Sequence, residues 1–213
     1  MPSPRRSVLR LIALIAALAP AAAFAASPAA DPRDVSREMI VGDPAAPVGG
    51  DPKGDVTIVA YLDYNCGFCK RSAPALEKLV RTDGKIRLVY KDWPILAESS
   101  VAGAKIALAA KYQGKYETAH RALMSLPGGN VPQAKMLAAV ASAGVDMARL
   151  QADATAHESE MVALLKRNDA QARGMGFMGT PVYLIGPLLV AAAPSYDEFR
   201  DAVAKARARQ RGR

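Results

Sequence analysis

Histidine is almost missing from this chain: His120 and His157 are the only two in 213 residues. Cysteine is as scarce, with Cys66 and Cys69 alone. A structural zinc site takes about four ligands, and two distant, unpaired histidines do not complete a set with these thiols. So few cysteines also exclude a scaffold stapled by several disulfides, and a chain of this length can build a core from apolar side chains alone. No phosphate loop is present: Gly174-Met175-Gly176-Phe177-Met178-Gly179 is not followed by Gly-Lys-Ser/Thr and fits no dinucleotide spacing. The net charge is +8, yet no basic patch is interleaved with aromatics, so nucleic acid is not an expected partner. The excess sits at the ends. Arg5, Arg6 and Arg10 precede any acid, and Lys205, Arg207, Arg209, Arg211 and Arg213 crowd the tail, leaving a nearly neutral body.

The first 25 residues have the grammar of an export signal. Arg5, Arg6 and Arg10 form a basic segment, and residues 11–19 are apolar but too short to span a bilayer. Pro20 breaks that run, and Ala23-Phe24-Ala25 offers a small-x-small cleavage pattern. The mature chain is expected to begin near Ala26, in the periplasm. Arg5-Arg6 loosely resembles a twin-arginine signal; general secretion is read ahead of it.

What the chain does have is a Cys-x-x-Cys pair directly after a β-branched, apolar run and directly before a helical pattern. A dithiol at a helix N-terminus reads as redox chemistry. The exposed N–H groups and the positive end of the helix dipole favour a thiolate, which is the form that attacks disulfides. Cys66, at the helix entrance, is the expected nucleophile, and Cys69, one turn in, the resolving thiol. A structural disulfide closing so short a loop would constrain the unfolded chain little. Metal binding and an inert pair remain the competing readings.

Residues 26–53 are rich in Pro, Gly, Ala and Asp and read as an arm or linker, either an oligomer contact or a loosely packed leader. Only residues 35–41 look helical there, with Asp34 as N-cap. Residues 55–63 form a central strand, residues 66–80 a helix containing Pro74, and residues 86–90 a second strand stopped by Asp92-Trp93-Pro94. Residues 99–173 read as helices only, and His120 and His157 lie on their apolar stripes as structural residues. Residues 182–185 and 188–191 make a hairpin across Gly186-Pro187, and Ser195 caps a last helix over 196–207, with the tail after Lys205 frayed.

That order is β-α-β, an all-helical insertion, then β-β-α, an α/β arrangement that resembles the thioredoxin fold. Its insertion, about residues 97–173 of a domain over 54–209, is similar to that of the DsbA-like thiol-disulfide oxidoreductases. The resemblance rests on Asp63-Tyr64-Asn65-Cys66-Gly67-Phe68-Cys69-Lys70, on Pro74, on Lys91-Asp92-Trp93-Pro94-Ile95-Leu96, and on Gly179-Thr180-Pro181 before a strand.

The resemblance implies a protein-disulfide oxidoreductase. Cys66 and Cys69 would carry the electrons without a cofactor or metal, and Gly67 and Phe68 would complete the motif. Thr180 and Pro181 would form a cis-proline loop against which an extended substrate lies. It implies cysteine-containing exported proteins as substrates and a membrane redox partner that recycles the dithiol. Two departures stand out. Gly67-Phe68 supplies no histidine between the cysteines, which implies a less acidic Cys66, and Ala60 replaces the acid that thioredoxins often bury six residues before the first cysteine. An isomerase or reductase of the same fold is one alternative. A Cu(I)-binding protein using two soft thiolates is another.

Overall fold

The computed structural model describes residues 35–212; the export signal and Asp34 lie outside the described residues. A short helix α1 (Arg37–Gly42) opens the described chain. Its cap is Ser36, not the predicted Asp34: the Ser36 hydroxyl accepts the Met39 N–H at 3.2 Å. The remaining elements follow as β1 (Val48–Gly50), β2 (Val56–Leu62), α2 (Gly67–Asp83), β3 (Ile86–Asp92), helices α3 (Glu98–Lys111), α4 (Tyr116–Met124), α5 (Gln133–Ser142), α6 (Met147–Ala156) and α7 (Glu158–Gly174), then β4 (Val182–Ile185), β5 (Leu188–Val190) and α8 (Tyr196–Arg211). This is the thioredoxin-like α/β fold with α3 to α7 inserted between its halves.

One five-stranded sheet runs β1-β3-β2-β4-β5. Only β2 and β3 are parallel, with Leu62 opposite Asp92; the other pairings are antiparallel. Side chains alternate across a strand, and the central strand serves two cores. Val56, Ile58, Ala60 and Leu62 face the core made with α2, α3, α4 and α8. Val59 and Tyr61 face a smaller one with Ile40, Ala46, Trp93, Ala172 and Phe177. That two-sided burial explains the unbroken apolar reading of β2.

Several boundaries differ from expectation, each for a visible reason. β3 continues past Tyr90 because Lys91 and Asp92 are buried with partners rather than exposed. Lys91 Nζ donates to Gln171 Oε1 at 3.0 Å and to the Met39 carbonyl at 3.3 Å, and lies 3.6 Å from Asp43 Oδ2. Helix α2 runs on to Asp83, where Gly84 takes φ +67° and returns its N–H to the Val80 carbonyl. Helix α8 does not fray after Lys205: Arg207 is clamped between Asp55 and Asp83, with contacts as short as 2.7 Å to each. Residues 48–50, inside the stretch expected to be an arm or linker, pair with β3 as the sheet edge.

Candidate active site

Beyond the C-terminal end of β2 the chain must turn into α2, and Asp63 makes that turn. Its Oδ1 accepts the Asn65 N–H at 2.7 Å, and its Oδ2 accepts the N–H groups of Ile95 and Leu96 at 2.8 and 3.0 Å. One carboxylate thus ties the segment before the cysteines to the segment leaving β3. Asn65 does the same toward the insertion. Its amide donates to Ser99 and Ser100 Oγ, both at 2.9 Å, its Oδ1 accepts the Val131 N–H at 2.9 Å, and its carbonyl accepts that of Gly129 at 2.9 Å. Gly128 lies so close that an added Cβ would come within 2.9 Å of Gly67 Cα.

Cys66 is the N-cap of α2, and its sulfur accepts the Cys69 N–H at 3.1 Å. The Cys66 thiol also donates to the Thr180 carbonyl at 3.3 Å. Thr180 precedes Pro181 through a cis peptide. So Cys66, Gly67, Phe68, Cys69, Thr180 and Pro181, distant in sequence, meet at one place. The two cysteines are free thiols in unequal settings. Cys69 is fully buried, Cys66 is 3% exposed, and Phe68 beside them is 58% exposed.

The settings separate the two acidities. The Cys66 pKa is drawn down from 9.0 to about 6, first by the hydrogen bond from the Cys69 thiol and then by the N–H groups of Cys69 and Phe68, against the opposing pull of burial. Cys69 moves the other way, pushed far up by burial and then by the Cys66 sulfur. The motif therefore needs no histidine to acidify its first thiol. Burial pulls Lys70 down to about 8, and its Nζ donates to the Leu123 carbonyl at 2.6 Å. Tyr183 Oη lies 2.7 Å from Ser72 Oγ beneath the pair.

A buried polar chain adjoins the motif that sequence reasoning did not assemble. Tyr64 Oη is 2.9 Å from His120 Nδ1 and 3.4 Å from Tyr116 Oη, and Tyr116 Oη donates to both Asp92 oxygens at 2.9 and 3.0 Å. Burial holds Asp92 up at about 7, and burial with Arg121 and Lys70 holds His120 down to about 3. His157 stacks on Tyr112 with ring centroids 3.7 Å apart and pairs with Glu160. Among the described residues no cluster of three or more His, Cys, Asp or Glu is placed to hold a metal ion.

Fold and dithiol define a class, the thioredoxin-like oxidoreductases with a Cys-x-x-Cys redox pair. The chain belongs to the thioredoxin family, whose model matches residues 36–205. It is similar to a thioredoxin-like oxidoreductase from Silicibacter pomeroyi DSS-3, at 41% identity and a TM-score of 0.75, over 81% of this chain and 98% of that one. The thiol-disulfide exchange protein alpha-DsbA2 from Wolbachia pipientis is 28% identical, with a TM-score of 0.74 over 79% and 90%. A periplasmic thioredoxin-like protein from Salmonella enterica serovar Typhimurium is 28% identical, with a TM-score of 0.70 over 80% and 95%. A further match, 26% identical over 158 residues, is to Na(+)/H(+) antiporter NhaA 1 of Mycobacterium sp. (strain KMS); it covers 72% of this chain and 24% of that protein. The chain thus spans about a quarter of the length of the curated relatives it matches. Among the described residues no helix is long and apolar enough to cross a membrane.

Proposed function

We propose that this protein exchanges disulfides with cysteine-containing proteins exported to the periplasm, with Cys66 as the attacking and accepting sulfur and Cys69 as the resolving one. The observation that carries the reading is the position of Cys66, a sulfur acidified chiefly by Cys69, 3.3 Å from the backbone of the Thr180–Pro181 loop. An extended substrate segment lying along Thr180 and Pro181 would bring its own cysteine to the same sulfur.

In the oxidising direction a substrate thiolate attacks Cys66 Sγ of the Cys66–Cys69 disulfide. The S–S bond breaks, its electron pair leaves on Cys69, and the buried Cys69 thiolate takes up a proton. A second substrate thiolate then attacks the substrate sulfur of the mixed disulfide and releases Cys66 as a thiolate. The substrate leaves with a disulfide and the protein holds two more electrons. No further cofactor enters this balance. A stabilised Cys66 thiolate is a good leaving group and favours the reduced protein, hence the oxidising direction. Reoxidation falls to a membrane redox partner. The leader-like first 25 residues and the periplasmic relative support the location.

The test is trapping. Cys69→Ser is expected to accumulate mixed disulfides with disulfide-bonded (scrambled) substrate proteins, the Cys66 thiolate breaking the substrate S–S bond and the displaced substrate sulfur leaving as a thiol, and Cys66→Ser to lose exchange. Undiminished exchange by Cys66→Ser would refute the assignment. The reduction potential of the pair gives direction: a value well above the roughly −270 mV of thioredoxin is expected, and one at or below it would make the protein a reductase.

A further inference from the structure

Beside the dithiol lies a groove of about 790 Å3, bordered by Phe68 and Arg71 on α2, by Met178 and Thr180 before β4, and by Leu189 and Ala192 around β5. Its rim is unusually apolar for a water-facing surface. Met178 is 95% exposed, Phe68 58% and Leu189 57%. Such a concentration of exposed apolar side chains marks an interaction site.

The charge of the groove is one-sided. Arg71 is the only charged residue among the described residues lining it. Its guanidinium lies over the Phe68 ring, 4.5 Å from the centroid, and is exposed. No carboxylate pairs with it among the described residues, although Arg81, Arg121, Arg149, Arg167, Arg173, Arg200 and Arg207 all have one. An arginine held on an aromatic face keeps its donors free for a carboxylate.

We infer that this groove selects substrate segments in which an acidic residue lies close to the reacting cysteine, its carboxylate paired with Arg71 while an apolar neighbour packs between Phe68 and Met178. The spacing follows from geometry. Arg71 is five residues beyond Cys66, about 7–8 Å along a helix rising roughly 1.5 Å per residue. An extended segment advances about 3.3 Å per residue, so the acid falls two or three positions from the cysteine. This inference rests on the oxidoreductase reading and adds a substrate preference to it.

The test uses three reduced peptides identical except for Glu, Gln or Lys at those positions, each offered to the oxidised protein, with wild type, Arg71→Gln and Arg71→Glu compared. An exposed ion pair of ordinary strength makes Glu react about twofold to fivefold faster than Gln in wild type, with Lys slower still. The Glu/Lys ratio is expected to collapse in Arg71→Gln, to invert in Arg71→Glu, and to shrink at high salt. Because each ratio is taken within one variant, a general loss of folding or activity does not mimic it. Equal rates for the three peptides in wild type, or an unchanged order in Arg71→Glu, would overturn this preference and leave the oxidoreductase reading standing. No exchange with any peptide or with dithiothreitol would sink both.

Discussion

Two buried clusters of ionisable groups flank the central strands, and they are finished in opposite ways. On the face covered by α1 and α7, Asp43 receives Arg167 through two hydrogen bonds of 3.1 Å and lies near Lys91, which has two further partners in Gln171 and the Met39 carbonyl. Burial works against the Asp43 charge, but Arg167, the Ala45 N–H and Lys91 together hold its pKa below the usual value. Past the end of β2, by contrast, Cys66 and Cys69 compete for one proton, and the Thr180 hydroxyl has no partner. The first cluster spends its polar groups on one another and anchors α1 to the sheet. The second leaves hydrogen-bonding capacity open at a place where another protein can supply it. Incomplete satisfaction next to a reactive atom is what separates a site from a strut.

Removing one member of the satisfied cluster should therefore be costly and functionally silent. Asp43→Ala strands Lys91 and Arg167 and is expected to lower unfolding free energy by about 3–5 kcal/mol in urea melts. Exchange by the remaining folded protein should be retained. In the open cluster the same kind of truncation should spare stability and change chemistry. Cys69→Ala takes away the largest contribution to the acidity of Cys66, so the Cys66 midpoint should climb from about 6 toward 9 when thiolate absorbance is titrated.

The acidity of Cys66 also shapes the potential of the pair. Below the Cys66 pKa reduction binds two protons, and above it only one. The reduction potential should fall by about 59 mV per pH unit below pH 6 and by about 30 mV per unit above it. A single slope from pH 4 to 8, with no break near 6, would contradict the assignment.

Asp92 adds a pH dependence to the stability itself. Burial lifts its pKa in the folded protein to about 7 from a reference of 3.8. Between those values the folded chain holds a proton that the unfolded chain has lost. Its contribution is thus fully favourable below about pH 4 and is lost as pH rises through 7. Urea midpoints are expected to decline across that window and to flatten in Asp92→Asn.

The dithiol, β2, the β4–β5 hairpin and the Ser195 cap were legible because each is written in neighbouring residues. Ser195 and Glu198 close a reciprocal capping box, and a short, unbroken, β-branched apolar run bounded by turn residues reads as a buried strand. What escaped was non-local. Lys91 and Asp92 look like a strand terminus until Asp43, Gln171 and Tyr116 arrive from elsewhere in the chain to bury them. β1 is three residues, two of them glycine, and Gly50 takes φ +68°. Its backbone packs against Ile86 and Val80 too closely to admit a side chain, so no strand propensity marks it. The main source of the acidity of Cys66, the thiol of the second cysteine, emerges only once the helix brings the two sulfurs together. Asn65 carries no motif signal, yet it ties the dithiol to the insertion.

The rate at which iodoacetamide alkylates Cys66 in the fully reduced protein, followed from pH 4 to 10, bears most directly on whether the fold makes this sulfur a nucleophile. A midpoint close to pH 6 is expected, with reaction confined to Cys66 while Cys69 stays unmodified. A midpoint near 9, or equal labelling of both cysteines, would show two ordinary thiols and contradict the account.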